Sequence, residues 1–362
     1  MRQKALSLFL VTSAAILISG LATAANDPLL PELPKSQLLI ANTIPPNGDV
    51  NPYGVTFVPA SFPSGGSTAG GDILVSNFND SANLQGTGTT IVSITPQGNT
   101  SVFFQGPAGL GLTTALGVLD RGVVLVGNVP TTDGSCATVK SGSLLVLNKR
   151  GQQIGTLANS SLLNGPWDLL VHNTDAGSQV FVSNVLSGTV TRLDLAVAPD
   201  GNKITLLSAT QIASGYGHRC DPNALVVGPT GLAYDDHRRL LYVAATADNA
   251  IYAIKDADDT PSDRGKGTLT YTDHAHLRGP VGLVLVPNGD LIATNGDAVN
   301  GNPNQPSEMV EFTPSGHFVA QLSVDTGGQG GAFGLAISGS DDALKFVAVD
   351  DVNNTLKVWT VR

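Results

Sequence analysis

Short apolar runs separated by turn residues recur along the chain at a spacing of about fifty to sixty residues. Each copy has a Pro or Gly turn, an apolar run, a second turn, another apolar run that ends near Asn or Asp, and a third run. The clearest copy comprises the segments 228–234, 240–244 and 250–254. Runs of this length, rich in Val, Ile, Leu and Thr and bounded by Gly, Pro and Asn, indicate strands. The pattern therefore predicts successive β-sheets.

The pattern occurs six times. The inner runs open at Asn51, Thr113, Gly165, Gly228, Gly279 and Gly331. The second runs end at Ser76, Gly127, Ser183, Ala244, Thr294 and Val349, and the third runs begin near Thr90, Ser143, Thr189, Ala250, Met309 and Thr355. Sequential sheets repeated at this period predict an all-β fold, a six-bladed β-propeller that forms one closed unit.

The sixth copy is one strand short. Residues 37–44, Gln-Leu-Leu-Ile-Ala-Asn-Thr-Ile, form a β-run ahead of the first opening, and we expect this N-terminal strand to complete the last blade. Closing the ring in this way removes an open sheet edge that would otherwise pair with another chain. The predicted organisation is a signal peptide at 1–24, an N-terminal linker at 25–36 and the propeller at 37–362.

The N-terminal segment has the features of a secretory signal peptide. Basic residues at 2 and 4 precede an apolar stretch, 5–22, that ends in the small-residue sequence Ala22-Thr23-Ala24. No later apolar run is long enough to span a bilayer. We therefore expect an exported protein, periplasmic or extracellular, with no membrane span after signal cleavage.

Charge excludes one class of partner. Removal of the signal takes away Arg2 and Lys4 and no acidic residue, which changes the formal net charge from −10 to −12. Because phosphate backbones are bound by basic surfaces, we expect no nucleic-acid partner. The expected partner is a small molecule or a protein, and the expected state is a monomer.

Two cysteines, Cys136 and Cys220, are present. In an oxidising compartment a disulfide is favoured over the alternative of a free thiol nucleophile. Cys136 follows a second strand, and Cys220 precedes the inner strand of the fourth blade. Loops of these two kinds open on the same face of a propeller, so the disulfide would connect two long loops over the mouth of the axis.

The phrases Pro-x-Gly-Leu-Ala at 229–233, Leu-Tyr-Val-Ala at 241–244 and Asp-Asn-Ala-Ile at 248–251 resemble the NHL repeat. They are also similar to gluconolactonase (regucalcin-like) and strictosidine-synthase-like six-bladed propellers. The resemblance covers residues 37–362. It implies a ligand site at the axial mouth, reached by the loops before each inner strand and after each second strand.

Two rings of residues follow from this resemblance. A polar ring ends the second strands and consists of Asn77, Asn128, Asn184, Ala245, Asn295 and Asp350. These side chains either cap their own turns or contact a ligand or cation. An apolar ring near the start of the inner strands consists of Tyr53, Ala115, Trp167, Thr230, Val281 and Phe333. Asp168 follows Trp167 and could place a carboxyl with a raised pKa in this mouth.

Calcium is a possible cofactor but not a confident one. The resemblance implies that calcium-dependent lactonases carry Glu at the first opening and Asn or Asp before the Gly of later openings. Here the first opening reads Asn51-Pro52-Tyr53, and the later positions hold Trp167, Thr230 and Val281. The sequence contains no GxSxG or HExxH motif.

Three functions remain, of which one is a purely structural role in an assembly through the rims of the blades. The favoured one is a binding module that uses the axial mouth, with Tyr53, Trp167 and Phe333 among its contacts. The alternative is a calcium-assisted lactonase or related hydrolase that uses Asp168, Asn184, Asn295 and Asp350.

Overall fold

The protein is described from a computed structural model, which covers residues 27–174, 177–296, 308–325, 331–339 and 343–361. The predicted signal peptide, 1–24, lies outside these ranges. Six four-stranded sheets are present in the described residues, each antiparallel and each built mainly from consecutive strands. The prediction of an all-β, six-bladed propeller is confirmed.

The strands follow the repeat along the chain. The first, β1, spans Gln37–Asn42. Blade one contains β2 (Val50–Phe57), β3 (Ile73–Asn79), β4 (Thr90–Ile94) and β5 (Thr100–Gln105). Blade two contains β6 (Leu112–Val118), β7 (Val124–Asn128), β8 (Ser143–Leu147) and β9 (Gln153–Leu157). Blade three contains β10 (Pro166–Thr174), β11 (Gly177–Asn184), β12 (Thr189–Val197) and β13 (Ile204–Ala213).

A short hairpin of β14 (Arg219–Asp221) and β15 (Leu225–Val227) separates blades three and four. Blade four contains β16 (Pro229–Asp235), β17 (Leu240–Ala245), β18 (Ala250–Lys255) and β19 (Thr268–Tyr271). Blade five contains β20 (Pro280–Leu285), β21 (Leu291–Asn295), β22 (Met309–Phe312) and β23 (Phe318–Leu322). Blade six contains β24 (Ala332–Ser338), β25 (Leu344–Asp350) and β26 (Thr355–Val361), completed by β1.

In blade one, burial is greatest in the second and third strands and lowest in the outer strand. The second strand β3 and the third strand β4 are buried at every position, because each blade packs between two others. The outer strand β13 is exposed over much of its length. Four 3₁₀ helices, Leu30–Lys35, Asp120–Gly122, Cys136–Thr138 and Thr246–Asp248, complete the regular elements of the described residues. In these ranges no helix is long and apolar enough to cross a membrane.

The inner strands crowd together around the axis. A Cβ atom added to Gly282 would lie 2.1 Å from the carbonyl oxygen of Phe333 in the next blade, so only glycine allows this approach. Hydroxyl groups connect successive blades at the same level. The bonds run from Ser76 to the carbonyl of Thr113, from Thr113 to that of Pro166, from Thr246 to that of Pro280 and from Thr294 to that of Phe333. Each of these buried hydrogen bonds contributes about 0.5–1.5 kcal/mol to the stability of the fold. Together they hold neighbouring blades to one another around the axis.

The N-terminal strand closes the ring as predicted. Strand β1 pairs antiparallel with β26, from Gln37 opposite Thr360 to Asn42 opposite Thr355. Beyond the strand, the Thr43 amide donates to the carbonyl of Asn354 at 3.1 Å. The last blade is therefore assembled from both ends of the chain.

The segment predicted as a linker, 25–36, packs against the propeller where the structure describes it. Leu30 and Leu33 of the first 3₁₀ helix are fully buried against blades five and six. The Glu311 carboxylate accepts the amides of Leu29 and Leu30, each at 2.8 Å. Burial raises the pKa of Glu311, and the two amide bonds oppose that rise. Burying two leucines contributes about 1.5–3 kcal/mol each, which makes this segment part of the domain.

We predict that deletion of residues 37–42 destabilises the whole propeller. The strand forms six residue pairs with β26, and at about 0.5–1.5 kcal/mol for each of about six lost hydrogen bonds the cost is roughly 3–9 kcal/mol. Thermal unfolding followed by circular dichroism measures it. The control is the double variant Leu38→Thr and Ile40→Thr, because both side chains are exposed and their backbone pairing is retained. Equal melting temperatures for the deletion and the parent would contradict the closure.

Candidate functional site

Four aromatic rings meet on the propeller axis near the mouth. Tyr53, Trp167 and Phe333 come from the inner strands of blades one, three and six, and Phe78 comes from β3. The ring centroid of Tyr53 lies 4.3 Å from that of Phe333, 4.7 Å from that of Phe78 and 6.1 Å from that of Trp167. All four are buried, with Trp167 only 2% exposed. They form what we call the aromatic plug: Tyr53, Phe78, Trp167 and Phe333.

A cavity of about 50 Å³ lies on the mouth side of the plug. Its walls include the four plug residues, Val281, Thr230 and Thr246, together with Asn51, Gln85 and Asn223. Among the described residues that line the cavity there is no carboxylate, histidine, lysine or arginine. The volume has room for a few water molecules or for one small ring edge.

Asn51 provides the unusual polar group of this cavity. Its backbone has φ of 60°, a left-handed conformation that Asn tolerates better than most residues. The amide of Asn51 donates to Oδ1 of Asn354 at 2.7 Å, which holds the residue in place. Its own Oδ1 is buried and has no hydrogen-bond partner in the described structure. A buried acceptor of this kind calls for a donor from a water molecule or a ligand.

The hairpin β14–β15 covers the cavity. Leu225 and Val226 belong to the same buried cluster as Tyr53 and Trp167, with Cys136 packed at its edge. Leu225 has φ of 62°, which is strained for a residue with a branched side chain. The hairpin turn is held by Asp221, whose Oδ1 accepts the amides of Asn223 and Ala224. The β14–β15 hairpin therefore narrows the mouth of the propeller.

A disulfide connects this hairpin to blade two. Cys136 and Cys220 are joined, with their Cα atoms 5.6 Å apart. Cys136 lies in the connection from β7 to β8, and Cys220 lies in β14. The predicted pairing is confirmed, and it connects the two loops over the mouth.

The side chains of the polar ring are used inside the fold. Four of them donate their amide to a backbone carbonyl in the segment that leads into the inner strand of their own blade. The pairs are Asn77 to Thr43 at 3.1 Å, Asn128 to Leu110 at 3.1 Å, Asn184 to Leu162 at 3.1 Å and Asn295 to His276 at 2.8 Å. The sequence did not predict this role, because the partner lies in a loop distant along the chain.

Asp350, the fifth polar member of this ring, does cap its own turn. Its Oδ1 accepts the amide of Asn353 at 3.2 Å, and its Oδ2 lies 3.0 Å from Nζ of Lys357. None of the five polar side chains lines the mouth cavity. A ligand contact through them stays a prediction.

Asp168 does not line the mouth cavity. The sequence left open whether its carboxyl lies beside Trp167 in the mouth or bonds to a loop backbone. Trp167 lines the mouth cavity, whereas Asp168 lines a separate cavity farther along the inner strands. Burial raises the pKa of Asp168 to about 7, opposed by hydrogen bonds from the amides of Leu169 and Leu232.

The mouth residues do not fit a calcium ion. Calcium takes six to eight oxygen ligands, about half of them commonly carboxylates, and the cavity lining offers only amide, hydroxyl and backbone oxygens. Across the described ranges, no group of three or more His, Cys, Asp and Glu residues could hold a metal ion. The lactonase candidates Asp168, Asn184, Asn295 and Asp350 are each engaged elsewhere and do not line this cavity.

Comparison with known proteins gives the fold. No protein-family model and no curated protein matches the sequence. A gluconolactonase from Xanthomonas campestris matches the structure with 15% identity and a TM-score of 0.55, over 91% of this chain and 91% of its own. The chain has the fold of gluconolactonase and regucalcin-like propellers.

Two other matches extend this likeness. A calcium-binding protein, regucalcin, from Agrobacterium tumefaciens has 16% identity and a TM-score of 0.52, over 89% of this chain and 94% of its own. The major allergen Mala s 1 of Malassezia sympodialis has 13% identity and a TM-score of 0.56, over 89% of this chain and 96% of its own. At these identities the likeness concerns the fold and not the activity.

We predict that loss of the disulfide releases the hairpin but leaves the ring folded. The disulfide joins residues that are 84 positions apart along the chain. Its removal in the double variant Cys136→Ser and Cys220→Ser should lower the free energy of unfolding by up to about 4 kcal/mol. Hydrogen exchange read by mass spectrometry should show faster exchange in residues 219–227 and unchanged exchange in β3 and β11. The control is Asp221→Ala, which weakens the hairpin turn while the disulfide remains. Unchanged exchange at 219–227 in the double variant would contradict this role.

Proposed function

We propose that this protein is an exported binding module whose mouth holds the edge of an uncharged, ring-bearing ligand that donates a hydrogen bond. The observation that carries the proposal is the buried, unpartnered Oδ1 of Asn51 in a cavity walled by Tyr53, Trp167 and Phe333. Aromatic walls stack on flat rings, and the acceptor selects a ligand with a hydroxyl or N–H group. A phenol has this chemistry, and so does the face of a sugar ring that carries a hydroxyl group.

The small volume shapes this proposal. Pockets for drug-sized ligands usually measure about 300–1,000 Å³, whereas this cavity has about 50 Å³. A ligand therefore inserts one ring and leaves the rest of its structure outside the mouth. A small glycoside or an aromatic side chain of a protein partner satisfies this limit equally.

Export is supported by two separate features. The N-terminal sequence has the pattern of a signal peptide, and the structure contains the Cys136–Cys220 disulfide. Disulfides persist mainly in oxidising compartments. We therefore assign the binding role to the periplasm or the extracellular space.

The binding proposal predicts that phenol binds more tightly than anisole, which has the same ring but no donor. In a Trp359→Phe background Trp167 is the only tryptophan, since the chain contains two, and its fluorescence reports the cavity. Asn51→Gly keeps the left-handed backbone and should lower phenol affinity about tenfold, the cost of one lost hydrogen bond. It should leave anisole affinity unchanged.

The matched control is Asn83→Gly, because Asn83 also has φ of 60° and lies outside the cavity lining. This variant should bind phenol as the parent does. Equal affinity of phenol and anisole for the parent protein would overturn the role of Asn51. Fluorescence of Trp167 that no ring compound changes would overturn the proposed function.

The alternative, a calcium-assisted lactonase, is tested separately. Because the described lining of the mouth contains no carboxylate, we predict that the melting temperature is the same in millimolar calcium chloride as in EDTA. If calcium did bind, a concentration one hundred times its Kd would raise the free energy of unfolding by about 2.7 kcal/mol. Magnesium chloride serves as the ionic-strength control. Calcium-specific stabilisation together with hydrolysis of gluconolactone, followed by acid release, would favour the enzyme instead.

A further inference from the structure

A second cavity, much larger than the mouth cavity, lies farther along the same inner strands. It measures about 420 Å³, against about 50 Å³ at the mouth. The first residues of the inner strands line the mouth, and later residues of these strands line this second cavity. The aromatic plug lies between the two sets. We call the second cavity the axial channel, and its aliphatic wall includes Val55, Leu116, Leu232, Leu283 and Leu335.

Among the described residues that line the axial channel, Asp168 is the only one with an ionisable side chain. Its position in β10 corresponds to glycine in blades one and five. The amide of Asp168 donates to Oγ of Ser183, just as the amides of Gly54 and Gly282 donate to Ser76 and Thr294. Blade three therefore carries a carboxyl group at a position that holds glycine in blades one and five.

This carboxyl group has backbone amides but no cation beside it. Oδ1 accepts the amide of Leu169 at 2.8 Å, and a further bond comes from the amide of Leu232 in blade four. Desolvation is the main influence on its pKa, and no lysine, arginine or histidine contributes to the shift. A buried carboxylate without a counter-ion costs free energy, which a bound cation would offset.

We propose that the axial channel binds a primary alkylammonium ligand, with the ammonium group on Asp168 and the hydrocarbon chain along the aliphatic wall. An ammonium group is compact, carries three donors and complements a single carboxylate. Each methylene of the ligand that is buried along the wall strengthens binding further. The site is separate from the mouth and does not depend on the function proposed there.

The pH dependence of binding follows from Asp168. Its pKa of about 7 means that the carboxyl group is mostly neutral below pH 7 and mostly ionised above it. A primary alkylamine stays protonated over this range, as lysine does. Binding of the cation should therefore strengthen as the pH rises from about 6 to about 8, by about tenfold.

Other titratable groups near β10 are few. The strands β6, β7 and β11 carry none, β16 carries Tyr234 and Asp235, and β10 itself carries His172. His172 Nε2 lies 3.2 Å from Oδ1 of Asp236, and Asp235 bonds to Arg238 at 3.1 Å. None of these side chains lines the axial channel. A pH effect that disappears when Asp168 is replaced is therefore assigned to Asp168.

The test compares n-hexylamine with n-hexanol, which has the same chain and no charge, by isothermal titration calorimetry. The parent protein should bind hexylamine saturably, about tenfold more tightly at about pH 8 than at about pH 6. Hexanol should bind more weakly, and its affinity should not increase between about pH 6 and about pH 8. Asp168→Asn has nearly the same shape and should lose both the preference for the amine and its pH dependence.

The matched control is Asp200→Asn, since Asp200 is an exposed carboxylate away from the channel. It should bind hexylamine as the parent does, and the melting curves of both variants show whether they are folded. The pH dependence of the parent tests the proposal even if Asp168→Asn fails to fold. Hexanol binding equal to that of hexylamine would overturn the proposal. Absence of saturable hexylamine binding at about pH 8, or binding that persists in folded Asp168→Asn, would overturn it as well.

Discussion

The close approach of six inner strands around one axis is the constraint on which the rest of the structure depends. Side chains near the axis are absent, as at Gly282, bond to the next blade, as Thr294 does, or pack against one another, as in the aromatic plug. Only with this spacing can each blade bury both faces between two others. The repeated turn and glycine pattern in the sequence is the direct result.

The same crowding divides the axis into two unlike spaces. Where inner-strand positions carry large rings, the aromatic plug fills the centre, and what remains at the mouth is a small cavity under the β14–β15 hairpin. Where the side chains are aliphatic, a wider channel remains. A single fold thus offers two environments, one walled by aromatic rings with an amide acceptor, and one lined by aliphatic and polar side chains with a carboxyl group.

The sequence predicted the parts of the structure that depend on periodicity. The six sheets, the closure by residues 37–42 and the pairing of Cys136 with Cys220 all follow from the order of strands and loops. The convergence of Tyr53, Trp167 and Phe333 could also be predicted, because they occupy related positions in three blades. Each of these inferences needs only the repeat and the direction of the chain.

Details that depend on neighbours in space were not predictable. The side on which Asp168 emerges is set by a bulge at the start of β10, where the pairing register shifts between Pro166 and Asp168. The unpaired acceptor of Asn51 depends on contacts made by Asn354, which lies at the other end of the chain. The packing of residues 27–36 depends on Glu311 in blade five, and a solitary Glu carries no periodic signal.

The pairing of β1 with β26 also has a consequence for how the chain reaches its native state. Gln37 pairs with Thr360, so nearly the whole polypeptide must be present before the last blade can form. Contacts so distant in sequence make folding slow, because loop-closure entropy is lost before the contact is gained. Until the final strand is available, the edge of β1 remains unpaired, and an unpaired strand edge can pair with another chain.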